Sequence, residues 1–369
     1  MDWSDSQGVG VIAPAARSIN GTYNRELLSA RASAVIAAHD PATPLFMYLA
    51  FQNVHEGCTP LKPKLGCQAP LSYVQLYNRT QLDTYKVMGG MLSELDDGVA
   101  DVLAALEQRA MLENTLIVFV SDNGGPLEHS TNAPLRGGKH TFYEGGVRVV
   151  AFLAGGALPA SARGTTWPGL AHASDWYRTI TAGVAGLPIP ADTGPVPLDG
   201  FDLFAAIAAG GPSPRSEVVH QVSNAHYSEN VSAIRIGEMK LIHGDPGDNR
   251  TIAWPEDAAA PVPIGLSGAV IEPGTDHVRA TQLGGVTLGR CRPHCLFNLS
   301  ADLGESHNLA GLPAYAALVA SMQARLDAVG AAAPPVSMGT IWPPKEFQEM
   351  VKMRCAISSA SGSVQPVDL

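Results

Sequence analysis

The sequence predicts an α/β protein: a mixed, largely parallel sheet flanked by helices, followed by a smaller C-terminal α+β domain. Two short apolar runs, Leu45 to Ala50 (LFMYLA) and Thr115 to Ser121 (TLIVFVS), read as strands covered on both faces. Between them Tyr85, Met88, Leu92, Leu95, Val99, Val102 and Leu106 recur at spacings of three and four, the apolar stripe of a long helix. A strand, a crossover helix and a second strand make the βαβ unit from which parallel sheets are built. Past a Pro-, Gly- and Asp-rich passage at 188–214 the pattern changes, with Val231 to Ile236 and Lys240 to His243 flanking Gly237-Glu238 as a β-hairpin.

The remaining elements follow in order. A strand is expected from Val147 to Ala154, then a helix from Asp175 to Val184 that Gly186 and Pro188 end. The stretch 245–289 is rich in loop residues and has little periodicity, and Tyr315 to Val329 suits a closing helix. At 369 residues the chain exceeds the size at which one core keeps growing, so two domains are expected, 1–210 and 211–369.

Composition narrows the function classes. With 46% hydrophobic and only 16% charged residues, the chain can bury a sizeable core. A formal net charge of -10 argues against a nucleic-acid surface, because phosphate binding needs clustered Lys and Arg. No apolar run reaches the roughly 18 residues of a membrane helix, so no span is expected.

The chemistry concentrates where TLIVFVS runs into Asp122-Asn123-Gly124-Gly125, with LRGGKHTFYEGGVR following from Leu135 to Arg148. Open α/β sheets place ligands at the carboxyl ends of strands. A carboxylate beside a carboxamide offers hard oxygen donors, which favour Ca²⁺ or Mg²⁺ over zinc. An Asp-Asn-Gly turn is also an ordinary strand ending, so the tripeptide alone leaves both readings open.

The longer segment SDNGGPLEHSTNAPLRGGKHTFYEGGVRVVAFLA resembles the sulfatase family, whose pattern is a strand, an Asp-Asn metal pair, a Gly-Lys loop and Tyr/Trp-Glu-Gly-Gly-Val-Arg. Within the family it is most similar to the arylsulfatase B type, the N-acetylgalactosamine-4-sulfatases. PLFMYLAFQNVHE (44–56), HASDWYRTI (172–180), LDGFDLF (198–204), AIRIGEMKLIHGDPG (233–247) and LFNLSADLGESHNLA (296–310) extend the likeness in the family's order, from about Asn20 onward.

The resemblance implies an alkaline-phosphatase-like fold, incomplete in this chain, and hydrolysis of a sulfate ester on a sulfated glycan or an aryl group. It implies one Ca²⁺, with Asp122 and Asn123 supplying half of its ligands. By the same likeness Lys139 is the active-site lysine, a compact ammonium suited to a sulfate oxygen. His55 is the active-site histidine, able to contact sulfate or protonate the leaving alcohol. Glu144 and Arg148 suit a buried ion pair that locks the loop, and Arg136 has no assigned role.

One family feature is missing. Sulfatases carry a Cys-x-Pro-Ser-Arg signature whose cysteine becomes the formylglycine nucleophile. None of Cys58, Cys67, Cys291, Cys295 and Cys355 is followed by that pattern, and Cys58-Thr59-Pro60-Leu61-Lys62 keeps only the proline. With no signal sequence at Met1-Asp2-Trp3-Ser4-Asp5, the chain reads as the C-terminal two-thirds of a sulfatase, a fragment or alternative product, or a relative that has lost its nucleophile. Two other functions therefore stay open. One is an inactive sulfatase-like protein that binds sulfated glycans. The other is a two-zinc phosphatase or phosphodiesterase of the same superfamily, which Asn123 disfavours because a carboxamide is a poor zinc ligand.

Five acceptor sequons, at Asn20, Asn78, Asn230, Asn249 and Asn298, point to a glycoprotein. The spacings of Cys58 with Cys67 and of Cys291 with Cys295 each permit a disulfide, leaving Cys355 over. An oxidising secretory route, lysosomal or extracellular, fits both.

Overall fold

The computed structural model describes residues 23–55, 69–77, 83–127, 130–189, 198–222, 231–247 and 291–332, with short pieces at 4–5, 13–14, 269–271 and 278–280. The chain divides into two compact units, Met1–Glu113 with Ser337–Leu369, and Asn114–Val336.

In the first unit, short strands β1 (Ser4–Asp5) and β2 (Ala13–Pro14) pair antiparallel. Helix α1 (Asn24–Ala38) packs on the long α3 (Asp83–Gln108), as does the short α2 (Leu71–Val74). The expected stripe of α3 is buried at Tyr85, Met88, Leu95 and Leu106. Leu92, however, is 49% exposed, and Met91 takes its place. The stripe therefore steps by three and then by four through Met88, Met91 and Leu95, a straighter path along the helix. Glu94 is fully buried beside this stripe, held by Arg25 Nε at 2.9 Å and Asn53 Nδ2 at 2.5 Å. Burial raises its pKa, and those two hydrogen bonds act in the opposite sense.

The segment Leu45 to Ala50 departs from expectation. It is in no ladder, and Phe46 and Tyr48 are 72% and 84% exposed while Leu45, Met47 and Leu49 are half-buried. No described strand lies beside it, so the apolar run alternates in burial instead of being covered twice.

In the second unit, β3 (Ile117–Val120) pairs antiparallel with β4 (Ala151–Ala154), from Ile117↔Ala154 to Val120↔Ala151. Phe119 and Phe152 stack across this ladder at 4.7 Å. Among the described residues every ladder is antiparallel, so the parallel pairing expected of the two apolar runs is not found there. β4 also starts later than the expected Val147, because Glu144–Val147 closes a helical turn, α4, with Arg148 N–H on Glu144 O at 2.8 Å.

Helix α5 (Asp175–Arg178) continues as a π turn over Thr179–Val184, and α6 (Phe204–Ala209) follows. Buried Asp175 ties this region together. It accepts Arg215 Nε at 2.8 Å and Nη2 at 2.5 Å, with the His172 and Phe201 amides at 2.8 Å. Those donors outweigh burial and hold its pKa below the usual carboxylate range.

The chain then forms β5 (Glu217–Gln221), β6 (Ser232–Ile236), β7 (Met239–Gly244), a small pair β8 (Ala269–Ile271) and β9 (Val278–Ala280), and β10 (Cys291–Asn298). The larger sheet has the order β10-β7-β6-β5. Its hairpin turns at Gly237, whose φ of 55° explains the glycine. One face buries Ile234, Leu241 and Leu296 against Val319, Met322 and Leu326 of α7 (Ala316–Ala332). The other buries Ala233, Ile242, Phe297 and Leu299 against Tyr143.

Cys291 and Cys295 form a disulfide, their Cα atoms 4.8 Å apart. Cys58, Cys67, Cys355, Asn20, Asn78, Asn230 and Asn249 lie outside the described residues. Asn298 ends β10, its Oδ1 accepting the Ser300 amide at 3.2 Å and hydroxyl at 2.7 Å. No described helix is long and apolar enough to cross a membrane.

Candidate active site

β3 ends at Val120, and Ser121 stays in register through its amide on Val150 O at 3.0 Å. Beyond it the chain turns so that Asp122 is exposed and Asn123 half-buried. Asp122 Oδ1 accepts the Asn123 amide at 2.8 Å, and Asn123 Nδ2 donates to Gly124 O at 2.9 Å. Asp122 Oδ2 and Asn123 Oδ1 receive no hydrogen bond from a described residue. Two hard oxygen donors on adjacent residues thus take no hydrogen bond from a described residue, and oxygen is the donor type that Ca²⁺ takes. They are an incomplete set: among the described residues no group of three or more His, Cys, Asp or Glu could hold a metal.

The Lys139 loop is fastened directly behind this pair. Gly125 O accepts the Lys139 amide at 3.1 Å, and Asn132 clips Gly125 on both sides, Oδ1 to its amide at 2.9 Å and Nδ2 to its carbonyl at 2.8 Å. Glycine is needed for the approach at two points. A Cβ on Gly124 would stand 1.7 Å from Gly145 O, and one on Gly138 would stand 2.5 Å from Gly125 O. The structure therefore brings Asp122, Asn123 and the Lys139 backbone to one strand end. His55 lies in the first unit, exposed, its amide on Gln52 O at 2.8 Å.

The loop's far side is anchored by charge. Glu144 is buried, and its nearest cation is Lys240 Nζ at 2.9 Å. Arg148, the partner expected from sequence, stands at 3.7 Å and is 51% exposed, so the pair it makes is peripheral. Lys240 is fully buried and also meets Glu305 Oε1 at 2.8 Å. Arg136 Nη1 donates to Glu305 O at 2.6 Å and its guanidinium lies 4.7 Å over the Tyr143 ring. Burial raises the Glu305 pKa, with Lys240 pulling the other way. Lys240 and Glu305 were not singled out from sequence. The available signal was a lysine at an inward position of an otherwise apolar strand, Lys240-Leu241-Ile242.

The described elements make a mixed α/β protein with two oxygen donors and a lysine loop gathered at one strand end. The structure shares its fold with that of Ps i-CgsB in complex with k-i-k-neocarrahexaose, at a TM-score of 0.63 and 22% identity, over 95% of this chain and 62% of that one. The chain belongs to the sulfatase family, whose model, described as Sulfatase, matches residues 3–184. It is 32% identical to arylsulfatase J of Mus musculus over 343 residues, 89% of this chain and 51% of that protein. To arylsulfatase A of Homo sapiens it is 32% identical over 274 residues, 73% of this chain and 45% of that protein. The chain thus spans about half the length of the curated relatives it matches.

Proposed function

We propose that the protein acts as a sulfuric ester hydrolase on sulfated sugars, with Asp122, Asn123, Lys139 and His55 as its binding and catalytic groups. The observation that carries this is the Lys139 amide on Gly125 O at 3.1 Å, two residues past a carboxylate and a carboxamide whose outer oxygens no described residue satisfies. Lys139 supplies a positive charge for a sulfuryl oxygen. His55 contacts the sulfate or gives a proton to the departing alcohol oxygen. A Ca²⁺ ion, which the two oxygen donors suit, would offset charge on the ester.

Several finer readings belong to the same proposal: the 4-O position of the ester that the arylsulfatase B likeness implies, an aryl sulfate as alternative substrate, a secretory, lysosomal or extracellular location, glycosylation at the sequons, and a domain division near residue 210. A binding role without hydrolysis is the second reading. It is favoured by the absence of Pro-Ser-Arg after any of the five cysteines.

Titration of the 369-residue chain with Ca²⁺, with Zn²⁺ and with a sulfated disaccharide tests the assignment. Weak Ca²⁺ binding is expected, since Asp122 and Asn123 supply only half of the ligands, and it is abolished in Asp122→Ala and Asn123→Ala, together with saccharide binding. Hydrolysis of nitrophenyl sulfate by these residues alone is expected to be negligible, since removing a covalent nucleophile lowers turnover on the order of a millionfold. Tight binding of two zinc ions would replace the sulfatase site with a phosphatase-type one.

A further inference from the structure

We propose that Lys240 is a positioning residue for Lys139, acting through Glu144 and Glu305. The inference rests on Lys139 being the sulfate-binding lysine. Lys240 belongs to β7, more than ninety positions along the chain from the loop it serves. Its ammonium is fully buried between Glu144 Oε1 at 2.9 Å and Glu305 Oε1 at 2.8 Å. Glu305 then holds the loop at both ends. Its Oε2 accepts the Glu144 amide at 2.6 Å, and its carbonyl accepts Arg136 Nη1 at 2.6 Å. Gly138 and Lys139 lie between those two anchors.

Within the loop the closest contacts are backbone to backbone, with Gly145 N–H on Arg136 O at 2.7 Å and Lys139 N–H on Gly125 O at 3.1 Å. Tyr143 adds apolar anchoring, buried with Ala233, Ile242, Phe297 and Leu299, its ring 6.3 Å from that of Phe297 in β10. Glycines 137, 138, 145 and 146 bring no side chains to fix the height of the loop above the strand end. The buried charges supply that constraint. Buried ion pairs contribute little net stability compared with well-packed apolar residues, yet they are intolerant of displacement. A lysine in place of a third aliphatic residue on β7 is therefore explained by geometry better than by stability. Displacing a binding group by about 1 Å can lower the efficiency of a site on the order of a hundredfold.

The test uses the full chain and three variants: Lys240→Met, Lys240→Arg and Glu305→Gln. Glu305→Gln keeps the backbone carbonyl for Arg136 and one side-chain oxygen for the Glu144 amide, and turns an NH2 toward Lys240 in place of a carboxylate oxygen, so it breaks the ion pair and remains informative if Lys240→Met fails to fold. Lys139 is labelled with limiting acetic anhydride across pH and quantified by mass spectrometry, with Lys86 in the first unit as internal reference. Inorganic sulfate binding is measured by calorimetry. We expect Lys139 to label on the order of tenfold faster in Lys240→Met and Glu305→Gln, and sulfate affinity to fall by a similar factor. Lys240→Arg is expected to restore both. A lowered melting temperature with an unchanged Lys139 labelling profile would make the cluster merely structural and overturn the proposal. A wild-type chain that binds no sulfate but shows the labelling change would keep the positioning role and remove the sulfate-binding reading of Lys139.

Discussion

The two sheets of the second unit differ in how they are covered. In the four-stranded sheet Ile234, Leu241, Ile242 and Leu296 are fully buried, with α7 on one face and Tyr143 with Leu299 on the other. In the β3–β4 ladder Val120 and Phe152 are nearly half exposed, and Val150 just before β4 is 65% exposed. The candidate site sits on the thinner element. Rigidity at Asp122, Asn123 and Lys139 is thus borrowed from the thicker one, through Tyr143 on Phe297 and through Glu144, Lys240 and Glu305. A site at the end of a two-stranded ladder is only as firm as its ties to a real core.

The tie itself has the largest expected effect. Lys240→Met leaves two buried carboxylates without their ammonium and should lower stability by about 3–5 kcal/mol in urea denaturation. The triple change with Glu144→Gln and Glu305→Gln should recover most of that loss. If it does not, the cluster is held by something other than charge pairing. Next, Leu241→Ala should remove about 2–5 kcal/mol, whereas Phe152→Ala should remove only about 1 kcal/mol, mostly its stacking on Phe119. Equal losses would mean that the two sheets are equally supported. Gly124→Ala forces a methyl against Gly145 O, and the backbone shift should lower stability by about 1–3 kcal/mol and weaken Ca²⁺ binding by calorimetry. Unchanged Ca²⁺ affinity would separate the strand end from the loop behind it.

The smallest effect concerns pH. His220 in β5 is pushed down to about 3, first by burial and then by the charges of Lys240, His172 and Arg235. A histidine whose folded pKa lies below its unfolded 6.5 stabilises the fold above 6.5, and that contribution fades as pH falls from 6.5 toward 3. Denaturation between pH 6.5 and 5 should therefore show a slope of up to about 1.4 kcal/mol per pH unit from this one proton. His220→Gln should flatten it, and an undiminished slope would assign the proton elsewhere.

Local signals were legible in the sequence. The α3 stripe, the hairpin at Gly237, the closing helix and the strand ending in Asp122-Asn123 all depend on residues within a few turns of each other, where periodicity and turn chemistry decide. What failed depends on neighbours. LFMYLA has the composition of a doubly covered strand, yet cover is supplied by other strands, and an apolar run cannot state which will come. Leu92 fell off its stripe because two nearly equivalent helical paths run through Met88, and packing buries the one through Met91. Val147 carries strand-forming chemistry, but the Glu144 carbonyl captures the Arg148 amide and delays the strand. Lys240 and Glu305 were missed because their shared partner, Glu144, lies 96 positions from the first and 161 from the second, beyond any local pattern. Of the candidate site, the adjacent pair and the glycine loop could be read directly, while the distant anchor of that loop could not.

The disulfide in β10 has a consequence for self-association. Among the described residues β10 forms one border of the four-stranded sheet, and such a border is a row of backbone groups that a strand from another molecule could extend. Between Cys291, opposite Gly244, and His294, opposite His243, the register jumps, so Arg292 and Pro293 bulge out within the span that the Cys291–Cys295 bond pinches together. Proline has no amide hydrogen to offer an incoming strand, and the pinched bulge breaks the straight template that stacking would need. Copies of this protein meeting in solution would find that stretch of the border unsuited to strand addition, and with the bond reduced Pro293 still offers no amide hydrogen there.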